Sequence, residues 1–350
     1  MIKYAQDAAQ WLLLELEARK SRSAAVVFLT DDNTKMLCLP VLENLLGIQT
    51  GDCYHISIPA GEASKNLASL SLIWDGLTTA GAGRDTLLIC LGGGMITDIG
   101  GFAASTYKRG IDVVHIPTTL LGMVDAAIGG KTGIDYQHYK NHLGSFYQPL
   151  QVLIFSDFLL TLPERQLRAG FAEVLKYALI SGRQIHAMPK TASFDDWMPI
   201  IRASADTKSD IVQKDPKEQG LRKVLNFGHT IGHAIESQAL EMGYEVLHGE
   251  AVAAGLLAEL WLSVQLCGLD VGVLNDYAKT YQSIYSILPL DEMKHSAIID
   301  RMHHDKKNAG GQIRFVLLEK PGRPVWDVPV DEQNILGSLK FLSDYNKLMS

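Results

Sequence analysis

At 350 residues the chain is longer than one ordinary core, so two domains are expected. Its 47% hydrophobic, 20% charged and 8% aromatic residues exclude a disordered or fibrous protein. The net charge of -7 gives no bulk electrostatic reason to bind nucleic acid or a membrane surface, so any anionic ligand must be met by locally concentrated cations.

The first segment, MIKYAQDAAQWLLLELEARK, carries Asp7, Glu15 and Glu17 within its apolar part and reads as an amphipathic helix rather than a signal peptide. Ala24–Thr30, Thr86–Leu91 and Val113–Ile116 are compact β-rich runs bounded by turn signals, and Leu67–Ala80 has a helical period. Strand–helix alternation predicts a parallel sheet with right-handed crossovers. From about residue 160 the pattern changes to long helices: Glu164–Gly182, Trp197–Gln213, Val224–Glu241, Glu250–Cys267 and a polar-faced one around Glu332–Tyr345. The boundary is placed near residue 158, giving an α/β Rossmann-like nucleotide-binding domain (1–158) and a mainly α-helical domain (159–350). The most apolar stretch, Ala251–Leu262, is broken by Glu259 and is read as too short to span a bilayer. Cys38, Cys53, Cys90 and Cys267 are scattered, with no Cys-x-x-Cys pair, which predicts neither a thiolate metal site nor a disulfide framework and fits a reducing cytoplasm.

Gly92-Gly93-Gly94-Met95-Ile96-Thr97-Asp98 follows the strand Thr86–Leu91 and opens a helix, where backbone N–H groups and the helix dipole can hold a pyrophosphate. Thr97 stands where the third glycine of G-x-G-x-x-G would be, so the standard fingerprint is absent, and a tight glycine turn packed on a neighbouring strand is the alternative use of these residues. Asp31-Asp32-Asn33 at the end of the first strand can receive a ribose, and Thr118-Thr119 at the end of another offers hydroxyls to the same crevice. Gly129-Gly130 beside Lys131 permits close backbone approach to a phosphate. Lys108, Arg109, Lys140, Lys208, Arg222, Lys306 and Lys307 become a site only if the fold gathers them.

The densest chemistry lies in Asn226-Phe227-Gly228-His229-Thr230-Ile231-Gly232-His233-Ala234-Ile235-Glu236, followed by His248-Gly249-Glu250. His229 and His233, spaced i, i+4, share one helix face, and a third imidazole across a turn can close a metal site. A packed, hydrogen-bonded histidine pair is the alternative.

Taken together, GGGMITDIGGFAASTYKRG (92–110), IPTTLLGMVDAAIGGKTGID (116–135), KNHLGSFYQP (140–149), GFAEVLKYALI (170–180), GLRKVLNFGHTIGHAIE (220–236), LHGEAVAAGL (247–256) and DKKN (305–308) resemble the 3-dehydroquinate synthase family of the sugar phosphate cyclase superfamily over nearly the whole length. The resemblance implies a dehydroquinate synthase-like fold and a catalytic zinc, with cobalt as a substitute, held by Glu173, His229 and His248, so that His233 faces the substrate instead of the metal. It implies NAD+ held by Asp31, Asn33, Glu62, Lys65, Gly93, Gly94, Met95, Asp98, Thr118, Thr119, Lys140, Phe158 and Thr161. It assigns the substrate carboxylate to Lys208 and Arg222, the phosphate to Lys131, Asn141, Asn226 and His233, and ring hydroxyls to Asp125, Lys176, Glu218 and Lys306. Arg109 would reach the phosphate of a neighbouring subunit, implying a homodimer.

The activity so implied converts 3-deoxy-D-arabino-heptulosonate 7-phosphate to 3-dehydroquinate and phosphate through transient oxidation, elimination, re-reduction and intramolecular aldol closure. A substrate with a carboxylate at one end and a phosphate at the other needs cations at both ends, and the cation set supplies them. Related cyclases acting on sedoheptulose 7-phosphate share a Thr at the position of Thr97, and metal-dependent polyol dehydrogenases share GGGMITD, PTT and the paired histidines. Retention of Lys208, Arg222, Asn226, His233 and Lys306 together favours the carboxylate-bearing substrate.

Overall fold

The computed structural model describes residues 2–137, 139–184, 187–190, 193–286, 288–290, 293–305 and 312–348. The chain forms two compact units, Met1–Pro163 with Lys190–Ala205, and Glu164–Pro189 with Asp206–Ser350.

The first unit contains β1 (Ile2–Tyr4), α1 (Ala5–Ser21), β2 (Val26–Asp31), α2 (Asp32–Leu37), α3 (Leu39–Leu46), β3 (Tyr54–Ile58), α4 (Leu67–Thr79), β4 (Leu87–Gly92), α5 (Gly94–Thr106), β5 (Asp112–Pro117), β6 (Lys131–Tyr136), β7 (Tyr139–Phe146) and β8 (Gln151–Ile154). Six strands form one parallel sheet in the order β1-β8-β5-β4-β2-β3. Every residue of β4 is buried, the continuous apolar run expected of a parallel strand covered on both faces. Val27, Leu29, Leu88, Ile73, Ile99 and Ala103 pack together in its core. The three strands read from the sequence are present, and β1, β3 and β8 join them. β1 and β8 are only three and four residues long, too short to show a period; β8 is held by pairing with β5, and β1 by pairing with β8. β6 and β7 make a separate antiparallel hairpin.

The chain runs from β2 outward to β3, then returns to the other side of β2 as β4. This reversal makes the carboxyl ends of β2 and β4 the switch point, where open α/β sheets bind ligands. Asp31 ends β2 and Gly93 follows β4 there.

The second unit contains α6 (Glu164–Ser181), the later part of α7 (Phe194–Lys214), α8 (His229–Glu241), α9 (His248–Cys267), α10 (Val271–Ile284), α11 (His295–Asp305), the antiparallel hairpin β9 (Ile313–Lys320) with β10 (Arg323–Val330), and α12 (Glu332–Leu348). Helix α9 runs through its centre, against α6, α8, α10, α12 and β9. Two expectations are corrected here. The segment Val224–Glu241 is not one helix: a 3-10 turn covers Leu221–Asn226, and Gly228, at φ 82° in the left-handed region, separates it from α8. Helix α9 is longer than its apolar stretch suggested, and at 20 residues it is long and apolar enough to cross a membrane, but 67% of its most apolar window is buried inside the protein, as in a core helix. Glu259 does not interrupt it.

Candidate active site

Helix α8 carries His229 and His233 one turn apart, and α9 opens on His248. One ring nitrogen from each of these three residues lies within 4.8 Å of the other two. From α6, Glu173 Oε1 stands 3.5 Å from His229 Nε2, and Glu173 Oε2 lies against Lys176 Nζ one helical turn on. Glu173 and Lys176 are 0% and 1% exposed, because α6 buries nearly every residue from Ala169 to Ile180.

Each of two imidazoles is held through Nδ1: His229 Nδ1 is 3.1 Å from the Phe227 carbonyl oxygen, and His248 Nδ1 is 3.1 Å from Glu236 Oε2. A nitrogen facing a carbonyl or carboxylate carries the proton, which leaves Nε2 of both rings with its lone pair. Burial, then Lys176, His233 and His248, holds the His229 pKa well below its ordinary value, so this ring is neutral near pH 7. Among the described residues, neither oxygen of Glu173 accepts a hydrogen bond of good geometry. A buried carboxylate beside a cluster of imidazole nitrogens suits a divalent ion of the zinc type. Glu173, His229, His233 and His248 all lie in this cluster.

Arg222 and Lys208 are also buried in this unit. Arg222 Nη1 donates to the Pro216 carbonyl at 2.7 Å. The loop leading to it is organised by Asp215, whose carboxylate accepts from the backbone N–H groups of Gln219, Gly220 and Arg222 at 2.7–3.0 Å. The same three hydrogen bonds hold the Asp215 carboxyl below its usual range. Glu218 takes a left-handed conformation at φ 59°, and its Oε1 accepts from Asn226 Nδ2 at 2.9 Å. Glu218, Asn226 and Arg222 are thereby fixed in one loop-and-turn segment.

In the first unit, Gly93 is the N-cap of α5 and offers no side chain there. A Cβ at Gly93 would press on Thr119 Cγ2, so the loop passes close to Thr118-Thr119, and Thr118 N donates to the Gly92 carbonyl at 3.0 Å. Met95 packs against the core. The Asp31 carboxylate accepts from Thr34 N at 2.8 Å and caps α2, while Asn33 is exposed. Lys65 is 4% exposed, and its Nζ donates to Asp98 Oδ2 at 2.6 Å and to Asn141 Oδ1 at 2.5 Å, with Glu62 at 3.6 Å. Burial pulls the Lys65 ammonium down, but Asp98 and Glu62 outweigh it and the net shift is upward. Phe158 is fully buried, and Thr161 Oγ1 donates to its carbonyl. Lys131, Lys140 and Arg109 are exposed, and Asp125 sits in a five-residue π turn, Gly122–Ala126. Lys306 and Lys307 lie outside the described residues.

Glu236 belongs to the segment singled out from the sequence but has no role assigned there, although His229, His233 and Glu236 follow an i, i+4, i+7 pattern on one helix face. Asp215 and Glu259 had no such local signal.

Comparisons with known proteins agree over most of the chain. The family model for the N-terminal part of 3-dehydroquinate synthase matches residues 55–169, and that for its C-terminal part matches residues 170–308. A 3-dehydroquinate synthase of Parabacteroides distasonis is 44% identical over 318 residues, covering 89% of this chain and 90% of its own length. A solved 2-deoxy-scyllo-inosose synthase, complexed with carbaglucose-6-phosphate, NAD+ and Co2+, shares the fold with a TM-score of 0.82 at 22% identity, over 97% of this chain and 96% of that one. A solved 2-epi-5-epi-valiolone synthase from Streptomyces hygroscopicus, with NAD+ and Zn2+ bound, gives a TM-score of 0.78 at 25% identity, over 98% and 96%.

Proposed function

We propose that this chain, which belongs to the 3-dehydroquinate synthase family, is an NAD- and metal-dependent lyase that converts 3-deoxy-D-arabino-heptulosonate 7-phosphate to 3-dehydroquinate and phosphate in the shikimate route to aromatic amino acids. The observation that carries the reading is the cluster of the buried Glu173 with three half-buried imidazoles, in the same unit as the buried cations Lys208 and Arg222.

Glu173, His229 and His248 are assigned to the metal, because the two rings are already turned with Nε2 available and Glu173 is a buried anion beside one of them. A bound zinc or cobalt ion would lower the pKa of the substrate hydroxyl, and NAD+ would accept its hydride and later return it. Everything else falls to the chain. Arg222 presents a planar fork to the substrate carboxylate, with Lys208 as a second charge. Lys131, Asn141, Asn226 and His233 are assigned to the phosphate, together with Arg109 of a second subunit in a homodimer. His233 sits among the other imidazoles and is suited to hold a proton near the departing phosphate. Lys176, Glu218, Asp125 and Lys306 are assigned to ring hydroxyls, which they orient for each step in turn. Asp31, Asn33, Glu62, Lys65, Gly93, Gly94, Met95, Asp98, Thr118, Thr119, Lys140, Phe158 and Thr161 are assigned to NAD+, many of them at the sheet's switch point. All four cysteines are free thiols, which suits a cytoplasmic enzyme.

The test supplies the heptulosonate phosphate with substoichiometric NAD+ and measures phosphate and dehydroquinate. Equal amounts of both products, with no net NADH, are expected. Steady NADH production from glycerol would instead mark a polyol dehydrogenase, and turnover of sedoheptulose 7-phosphate alone would mark another cyclase.

A further inference from the structure

We propose that Glu259 is a positioning residue for the imidazole cluster: its buried carboxylate caps the first turn of α8 and holds His229 and His233 in register with His248. The inference rests on the reading of that cluster as a metal site.

Helix α8 starts without a cap of its own. Its N-cap residue, Gly228, has no side chain, and the backbone N–H groups of a helix start have no acceptor within the helix. Two N–H groups here are answered from α9. Gly228 N donates to Glu259 Oε2 at 2.6 Å, and Ile231 N donates to Glu259 Oε1 at 3.2 Å. Both oxygens are thus used on the two sides of His229, and the negative charge sits where the helix dipole favours it. Glu259 is 0% exposed, so the carboxylate depends on these donors as much as they depend on it.

The position of Glu259 in the chain gives the cap its consequence. It belongs to the helix that opens on His248, three turns earlier. One side chain therefore ties the helix that carries His229 and His233 to the helix that carries the third imidazole. The two backbones meet closely beside it, since a Cβ at Gly255 would run into the Gly228 carbonyl oxygen. Farther along α9, Ser263 Oγ donates to the Glu259 carbonyl at 2.7 Å and accepts from Leu318 N on β9 at 3.0 Å, so this stretch is itself anchored. A shift at Gly228 moves the Phe227 carbonyl that fixes the His229 ring, and it moves the His229 backbone as well.

Glu259→Gln tests this, because a glutamine of the same size keeps one acceptor and turns an amide N–H toward the other backbone N–H. Co2+ affinity is measured by competition with a chelator and the visible Co2+ spectrum is recorded, while hydrogen exchange at Ile231 is followed in metal-free protein. Wild type should bind Co2+. Glu259→Gln should bind it about tenfold or more weakly, the size of effect seen when support behind metal ligands is removed, with a changed spectrum and faster exchange at Ile231. Leu342→Ala on α12, which destabilises the same unit from elsewhere, should keep the wild-type affinity and spectrum. Wild-type affinity and spectrum in Glu259→Gln would overturn the inference, as would an equal loss in Leu342→Ala. Failure of wild type to bind Co2+ would overturn the metal reading itself. If Glu259→Gln does not fold, Glu259→Asp, which keeps the charge but retracts it by one methylene, carries the same comparison.

Discussion

Glu236 Oε2 lies 3.1 Å from His248 Nδ1, joining a carboxylate on α8 to the imidazole that opens α9. The pair fixes the ring's tautomer and direction and makes Nε2 the available lone pair. Glu236→Gln replaces a charged acceptor with a neutral one. Metal affinity should fall by roughly 10- to 100-fold with the fold intact, read by chelator competition on the purified protein. Unchanged affinity would mean that His248 is oriented by something else.

Arg222 is buried, with Nη1 on the Pro216 carbonyl and its backbone N–H on Asp215. Arg222→Lys keeps the charge and removes the fork. Affinity for a carbocyclic substrate analogue should drop about tenfold or more, about 1.4 kcal/mol, while NAD+ affinity stays as it was. Calorimetric titration with each ligand separates the two outcomes, and a variant that binds the analogue as tightly as wild type places the carboxylate elsewhere.

His115 lies in β5 with its Nδ1 buried and without a hydrogen-bond partner among the described residues, and burial pushes its pKa down to about 4. The folded state keeps the ring neutral while the unfolded chain protonates it near the ordinary value of 6.5. Its contribution is therefore fully present above about pH 6.5, is lost as pH falls toward 4, and does not change further below that. At 1.36 kcal/mol per pH unit the loss is at most about 3 kcal/mol. His115→Gln should flatten this acid limb, measured as the pH dependence of the urea midpoint between pH 7.5 and 4. Identical limbs in variant and wild type would show that His115 does not titrate as described.

The sequence by itself determined what local patterns encode. The apolar run before Gly92-Gly93-Gly94 specifies a buried strand turning into a helix, and β4 and α5 meet there. The long periods after residue 160 specify helices, and the spacing of His229 and His233 puts both on one face of α8. Burial of a face and the spacing of side chains along an element are fixed within a few residues, so they are legible without the rest of the chain.

Only the tertiary structure decided what depends on residues far apart. β1 and β8 exist because Gln151 and Val152 pair with β5 and Ile2–Tyr4 pairs with Val152–Ile154; neither has the length to signal a strand alone. The start of α8 at His229 follows from Gly228 adopting φ 82°, which the helical period across Val224–Glu241 conceals. Glu173 reaches the imidazoles from a different helix, and Glu259, read from sequence as an interruption of an apolar stretch, is the acceptor for two N–H groups of α8. A buried carboxylate needs donors, and no pattern along its own helix says which other segment will supply them.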